Sequence, residues 1–206
     1  MRVAHENGVG IGAHPGFMDL AGFGRNRLSV PRGTLQNQIR YQVAASVGMA
    51  RSVSAEVRHL KLHGALANMA SEDEELARDL YEAALSVAPD LIVMVLAATA
   101  QEAAVRSLGC KWAGEIFADR AYNDDATLVD RSKPGAVIHD AEAAAARMVE
   151  MVKAGAIITE SGKHIPTRID TICLHGDTAE AVQIATAVRK GLQDGGVTLA
   201  KFSGSV

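Results

Sequence analysis

The chain has 206 residues, 48% of them apolar, which suits one large domain with a sizeable core. A formal net charge of -3, with aromatics at only 4%, excludes the basic footprint and the base-stacking platform of a nucleic-acid binder. The longest apolar run, Leu91 to Ala98, is too short to span a bilayer, and Met1 to Asn7 carry no secretory core, so the expected setting is the cytoplasm. Cys110 and Cys173 have neither metal nor redox spacing and read as buried, reduced thiols.

Strand and helix signals alternate along the chain. Val9 to Ala13 reads as a short strand. Thr34 to Val53 reads as a helix, because Leu35, Ile39, Val43 and Val47 make one apolar stripe. Val57 to Leu62 is a strand. Ser71 to Ala88 is a helix opened by a capping box of Ser71 and Glu74 and ended by Pro89. Leu91 to Leu96 is the next strand. Thr99 to Glu102 repeats the capping pattern, and Gly109 closes that short helix. Trp112 to Phe117 is a strand, followed by a polar loop from Ala118 to about Pro134. Asp140 caps an alanine-rich helix that stops at Gly155, and Ser161-Gly162 turns between two short extended segments. Ile169 to Leu174 (strand), Thr178 to about Asp194 (helix) and Val197 to Phe202 (strand) complete the order. Repeated β-α units imply a parallel sheet with right-handed crossovers, as a barrel or as a doubly wound sheet. No linker divides residues 1–206, which read as a single domain. Neither GxGxxG after the first strand nor GxxxxGK[ST] is present.

Polar clusters recur at strand C-terminal ends, where parallel α/β folds build their sites. Gly12-Ala13-His14-Pro15 is followed by Asp19 and Arg25, offering a proton carrier, a carboxylate and a bidentate fork for an anion. The plain alternative is a structured loop with a capping aspartate. Lys61 and His63 share a strand face by period two, although Lys61 and His59 could equally sit on an exposed edge strand. Glu115 interrupts an apolar strand and should be paired or functional. Asp119 and Arg120 follow it as site groups or as a structural ion pair, with Arg131 in the same loop system. His175-Gly176-Asp177 leads into a helix whose free amides favour an anion, with Asp177 or Thr178 as the bland N-cap. No spacing resembles HExxH, so the identity of any metal is left open.

Taken together these stretches resemble the LamB/YcsF family. They are Gly12-Ala13-His14-Pro15 with Asp19, Gly22-Phe23-Gly24-Arg25, Tyr41-Gln42, Lys61-x-His63-Gly64-Ala65-Leu66-x-Asn68, Glu115-x-Phe117-Ala118-Asp119-Arg120-x-Tyr122, Leu128-Val129-x-Arg131 and Cys173-x-His175-Gly176-Asp177. The family's opening acidic segment and its following C-G-x-H-A-G-D segment have no counterpart here. Leu62, Ala67 and Asn26 replace the family's proline, tyrosine and second arginine. The resemblance implies an irregular parallel β/α barrel of the glycoside hydrolase/deacetylase type, lacking its first two strands. It implies an ATP-dependent opening of the 5-oxoproline lactam to glutamate, with two partner subunits resembling allophanate hydrolase and carboxyltransferase modules. ATP would be a co-substrate, held here or by a partner, and a divalent metal is admissible. On this reading His14, His63, Asp119, His175 and Asp177 are the catalytic candidates. Asp19, Arg25, Lys61, Asn68, Glu115, Arg120 and Arg131 are the substrate-binding ones. The rival functions are a metal-dependent hydrolase or deacetylase of sugars or amides, and an inactive relative.

Overall fold

The computed structural model describes residues 1–177 and 179–206. The main strands pair in parallel, Val57–Lys61 between Ile11–Ala13 and Ile92–Leu96, and Trp112–Phe117 beside Thr171–Cys173, with helices in the crossovers. This is the α/β class expected from the alternation of strand and helix signals. The chain divides into two compact units. The first comprises Met1–Val95, Ala100–Ala113 and Gly204–Val206; the second comprises Leu96–Thr99 and Gly114–Ser203. Among the described residues no helix is long and apolar enough to cross a membrane.

The first unit opens with α1 (Arg2–Glu6), β1 (Ile11–Ala13) and α2 (Arg32–Arg51). β2 (Val57–Lys61) pairs with β1 on one side and with β3 (Ile92–Leu96) on the other, Leu60 standing opposite Ala13 and Val93. β2 is therefore an interior strand, and the edge-strand alternative for His59 and Lys61 falls. Side chains alternate along it, Leu60 fully buried and His59 and Lys61 on the other face at intermediate exposure; just past its end Leu62 is buried and His63 half-buried. Leu35, Ile39 and Val43 of α2 bring their four-residue stripe into the core with Leu66, Leu80, Tyr81 and Val95.

The helix expected from Ser71 starts later, at Glu74, and Ser71 belongs to a separate helix before it that sequence reasoning did not mark. α3 runs Gly64–Glu72 and α4 runs Glu74–Leu85. Asp73 leaves helical geometry (φ -135°), and its Oδ1 accepts from the Leu76 amide at 2.9 Å. Ser71 instead donates its hydroxyl to the Asn68 carbonyl at 2.7 Å. Both residues are good caps, but a carboxylate at a helix N-terminus also meets the helix dipole, so Asp73 takes the position. Two buried hydrogen bonds tie the helices together. Tyr81 donates to Gln101 of α5 (Ala100–Leu108) at 2.8 Å, and Gln101 donates to the Ala67 carbonyl at 2.7 Å.

In the second unit β4 (Trp112–Phe117), whose first two residues belong to the first unit, pairs with β7 (Thr171–Cys173), placing Glu115 opposite Thr171 and Phe117 opposite Cys173. α6 (Ala141–Ala154) is capped by Asp140, which accepts from the Ala143 amide at 2.8 Å, and it ends at Gly155 as expected. β5 (Ala156–Ile158) and β6 (His164–Pro166) form an antiparallel hairpin about Ser161-Gly162. α6 packs on α7 (Ala181–Asp194) around Met148, Met151, Ile184 and Val188. The expected strand from Val197 to Phe202 is not formed. The Val197 amide closes the end of α7 on the Leu192 carbonyl at 2.9 Å, and Val197, Leu199 and Phe202 line a cavity with Ile172 and Val188. Val197 and Phe202 are half-buried and Leu199 is exposed, so their apolar pattern reported contact with the walls of that cavity, not ladder pairing.

Candidate functional site

In the first unit the loop after β1 is fixed before any histidine is placed. Gln42 of α2 grips Gly16 twice: its Oε1 accepts from the Gly16 amide at 3.1 Å, and its Nε2 donates to the Gly16 carbonyl at 2.8 Å. Asp19 accepts from the Gly22 amide at 2.9 Å and from the Asn26 amide group at 3.0 Å, so here it caps the loop. The His63 and Ala65 amides donate back to the Pro15 and Gly24 carbonyls. Gly64 sits at φ +57°, and a Cβ there would lie 2.5 Å from the Gly24 carbonyl oxygen, so only glycine lets the two segments meet.

This scaffold brings His14 and His63 edge to face, ring centroids 4.8 Å apart. Four ring nitrogens lie in a chain between two carbonyls. His14 Nδ1 is 2.8 Å from the Lys61 carbonyl oxygen, His14 Nε2 is 3.1 Å from His63 Nδ1, and His63 Nε2 is 2.7 Å from the Phe23 carbonyl oxygen. Carbonyls only accept, so both outer nitrogens carry protons. Two neutral imidazoles hold no more than those two, and their lone pairs would then face each other in the middle. A third proton fills that contact, so the geometry fits a pair sharing one extra proton and one positive charge. Phe23 supplies its carbonyl from a left-handed conformation, φ +54°, which costs about 1 kcal/mol for a residue with a Cβ. Strain of this kind is maintained where the surroundings demand it.

Other candidates in this unit surround the pair less directly. Arg25 is exposed, its guanidinium 5.3 Å from the Phe23 ring centroid. Lys61 lends its carbonyl to His14 and keeps a half-buried side chain, and Asn68 lies on α3. His59 lies across Gly12, where a Cβ would come within 2.2 Å of its Nε2. Burial, with the charges of Arg58 and Lys61, pushes the His59 pKa down.

In the second unit His175 and Asp119 form the tightest polar pair. Nδ1 of His175 is 2.7 Å from Asp119 Oδ2, and the Asp119 side chain is only 9% exposed. The other carboxylate oxygen, Oδ1, is buried with no hydrogen-bond partner. A carboxylate on Nδ1 fixes the tautomer and leaves Nε2 as the ring's basic nitrogen. Nε2 is 4.0 Å from Cys173 Sγ. Glu115 is 3% exposed on β4, and its charge helps raise the pKa of Tyr122, whose burial raises it most. Tyr122 Oη accepts from the Phe117 amide at 2.8 Å.

Arg120 is 4% exposed and anchors its own loop. It donates through Nη2 to the Val129 carbonyl at 2.6 Å and through Nε to the Ala136 carbonyl at 3.3 Å. Burial, then the neighbouring Arg131, lowers its pKa to about 10. Arg131 and Asp177 are exposed. α7 begins at Ala181, not near Thr178, so Asp177 lies short of the helix N-terminus; an N-cap role for Thr178 falls outside the described residues. Among the described residues no three His, Cys, Asp or Glu side chains converge as metal ligands.

Sequence reasoning overlooked Cys173 as a site residue, although it ends a strand two residues before His175. It also overlooked Arg147, half-buried on α6, whose guanidinium lies 5.3 Å from the Tyr122 ring centroid and donates to the Phe117 carbonyl at 3.2 Å. Nothing in an alanine-rich helix marks that arginine out.

The α/β framework carries a histidine pair in one unit and a histidine–carboxylate pair in the other, side-chain types that hydrolytic enzymes use as acids and bases. The LamB/YcsF family model matches residues 1–206, and the chain belongs to that family. The A-type subunit of the Ruegeria pomeroyi 5-oxoprolinase is 66% identical over 98% of this chain and 80% of its own length. Its counterpart from Nitrobacter hamburgensis is 47% identical over 97% and 79%. The crystal structure of a lactam utilization protein from Thermus thermophilus superimposes with a TM-score of 0.87 at 36% identity, covering 98% of this chain and 80% of that one.

Proposed function

We propose that this chain acts as the A-type subunit of a 5-oxoprolinase, opening the lactam of 5-oxo-L-proline to L-glutamate. The observation that carries the reading is the 66% identity to the Ruegeria pomeroyi 5-oxoprolinase protein across nearly the whole chain. The chemistry of the two clusters agrees with it. Ring opening needs a base to activate a nucleophile and an acid to protonate the departing amine. His175, oriented by Asp119, can do both in turn through Nε2. In the other unit, the His14–His63 pair and the exposed Arg25 are groups of the kinds that meet a developing negative charge and a carboxylate. The five-membered lactam is an unactivated amide, so we assign ATP as co-substrate: phosphorylating the carbonyl oxygen creates a leaving group. The relatives are named as one subunit of their enzyme, which supports an assembly with further chains; we take these to be two modules of the allophanate hydrolase and carboxyltransferase types.

The test is glutamate release from 5-oxoproline with ATP and the two partner subunits, with and without this chain. Release should require the chain, and Asp119→Asn should lower it by roughly 10²–10⁴-fold while the melting temperature holds. Release that is independent of the chain would refute the reading.

A further inference from the structure

Cys173 has no role in the reading above, yet it completes a line of three groups in the second unit. Its Sγ is 4.0 Å from His175 Nε2, and His175 Nδ1 is 2.7 Å from Asp119 Oδ2. The polarity of this line is that of a nucleophile–histidine–carboxylate relay: the acid binds Nδ1, and the basic nitrogen faces the nucleophile. The backbone holds the order in place. Cys173 ends β7 opposite Phe117, its carbonyl accepts from the Ala118 amide at 3.1 Å, and Asp119 follows one residue later. The Phe117 ring lies 5.7 Å from the imidazole and limits its rotation. Asp119 Oδ1 is buried without a hydrogen-bond partner, and the charges of Arg120 and Arg147 act on the same carboxylate, which favours its ionised form.

We propose that Cys173 Sγ is the nucleophile of ring opening and that the reaction passes through a γ-glutamyl thioester on this residue. The proposal rests on the 5-oxoprolinase reading and deepens it. A nucleoside triphosphate first phosphorylates the lactam oxygen, which leaves a C=N bond in the ring. The thiol proton passes to His175 Nε2, and sulfur attacks the carbonyl carbon. Inorganic phosphate departs with the former lactam oxygen, giving a cyclic thioimidate. One water adds to that carbon, His175 returns its proton to the nitrogen as the C–N bond breaks, and the nitrogen leaves as an ammonium group with Nε2 free again. A second water, deprotonated by His175, attacks the thioester; the C–S bond breaks and sulfur regains its proton. Two waters are consumed, one for the lactam and one for the phosphoric anhydride. Sulfur attacks better than water at a carbon bearing a phosphate leaving group, and the intermediate cannot diffuse away.

The complex with both partner subunits is quenched in acid during turnover, and its peptides are mapped by mass. The expected result is a γ-glutamyl adduct on Cys173, absent from Cys173→Ser, Cys173→Ala and His175→Ala. Glutamate release should fall at least about 10²-fold in both cysteine variants, at an unchanged melting temperature. Cys173 is the more buried of the two cysteines, yet in the isolated chain iodoacetamide should modify it faster than Cys110, whose thiol burial pushes up, because His175 activates it; His175→Ala should abolish the difference. If Cys173→Ser turns over within about threefold of the wild type, the nucleophile is another group and the proposal is overturned while the 5-oxoprolinase reading stands. Equal alkylation of the two cysteines, unaffected by His175→Ala, would also overturn it. If the wild-type complex releases no glutamate, both fall together.

Discussion

At the scale of single residues, histidines do different work according to what their nitrogens meet. His175 has a carboxylate on one nitrogen and so retains one basic nitrogen. His14 and His63 lie between two carbonyls, and the contact between them calls for a third proton. ¹⁵N spectra of histidine-labelled protein should therefore show three protonated ring nitrogens across the two rings under assay conditions. Two protonated nitrogens would mean that the rings face each other lone pair to lone pair, and the shared-proton account would be wrong. These residue types and their strand-end positions were legible in the sequence, because histidine before glycine or proline after an apolar run is easy to see. Their pairing was not. It depends on Gln42 holding Gly16 from a helix twenty-six residues away and on the strained carbonyl of Phe23, which no local pattern reveals.

At the scale of elements, the α6 boundaries could be read outright, because an aspartate cap and a left-handed glycine each have one evident job. Replacing Asp140 with alanine removes an acceptor from the Ala143 amide and should cost about 1 kcal/mol in urea unfolding; no change would show that water replaces the cap fully. The break at Asp73 was missed because Ser71, Asp73 and Glu74 all favour helix starts, and only packing chooses among them. β2 carries a pH effect of its own. His59 is half-buried behind Gly12, and burial, with Arg58 and Lys61, holds its pKa below 6.5 in the folded state. The unfolded chain thus binds the proton more readily, so stability is kept above about pH 6.5 and lost as pH falls toward the lowered folded value. His59→Gln should flatten the decline in melting temperature between about pH 7 and about pH 5. A variant with the wild-type slope would assign that decline to other groups.

At the scale of the whole molecule, stability resides in two apolar clusters, one within each unit, and exposed apolar side chains contribute little. Leu66 is fully buried among Ile39, Leu80 and Tyr81, and Met148 is fully buried among Met151, Ile184 and Val188. Truncating either removes the transfer energy of the lost methylenes and leaves a void, at a cost of about 2–5 kcal/mol. Net stabilities of about 5–15 kcal/mol make that a large share. Leu20, by contrast, is 99% exposed on the loop after β1, so Leu20→Ala should stay within about 0.5 kcal/mol. The sequence could not rank these residues: all three are apolar in apolar or loop neighbourhoods, and the same ambiguity turned Val197 to Phe202 into an expected strand. Urea unfolding of Leu66→Ala, Met148→Ala and Leu20→Ala decides the matter. Lower midpoints in the first two alone support two working cores. A midpoint for Leu20→Ala as low as theirs would mean that the loop carrying Asp19 and Phe23 is anchored through Leu20, and that this leucine is buried in the protein's working state.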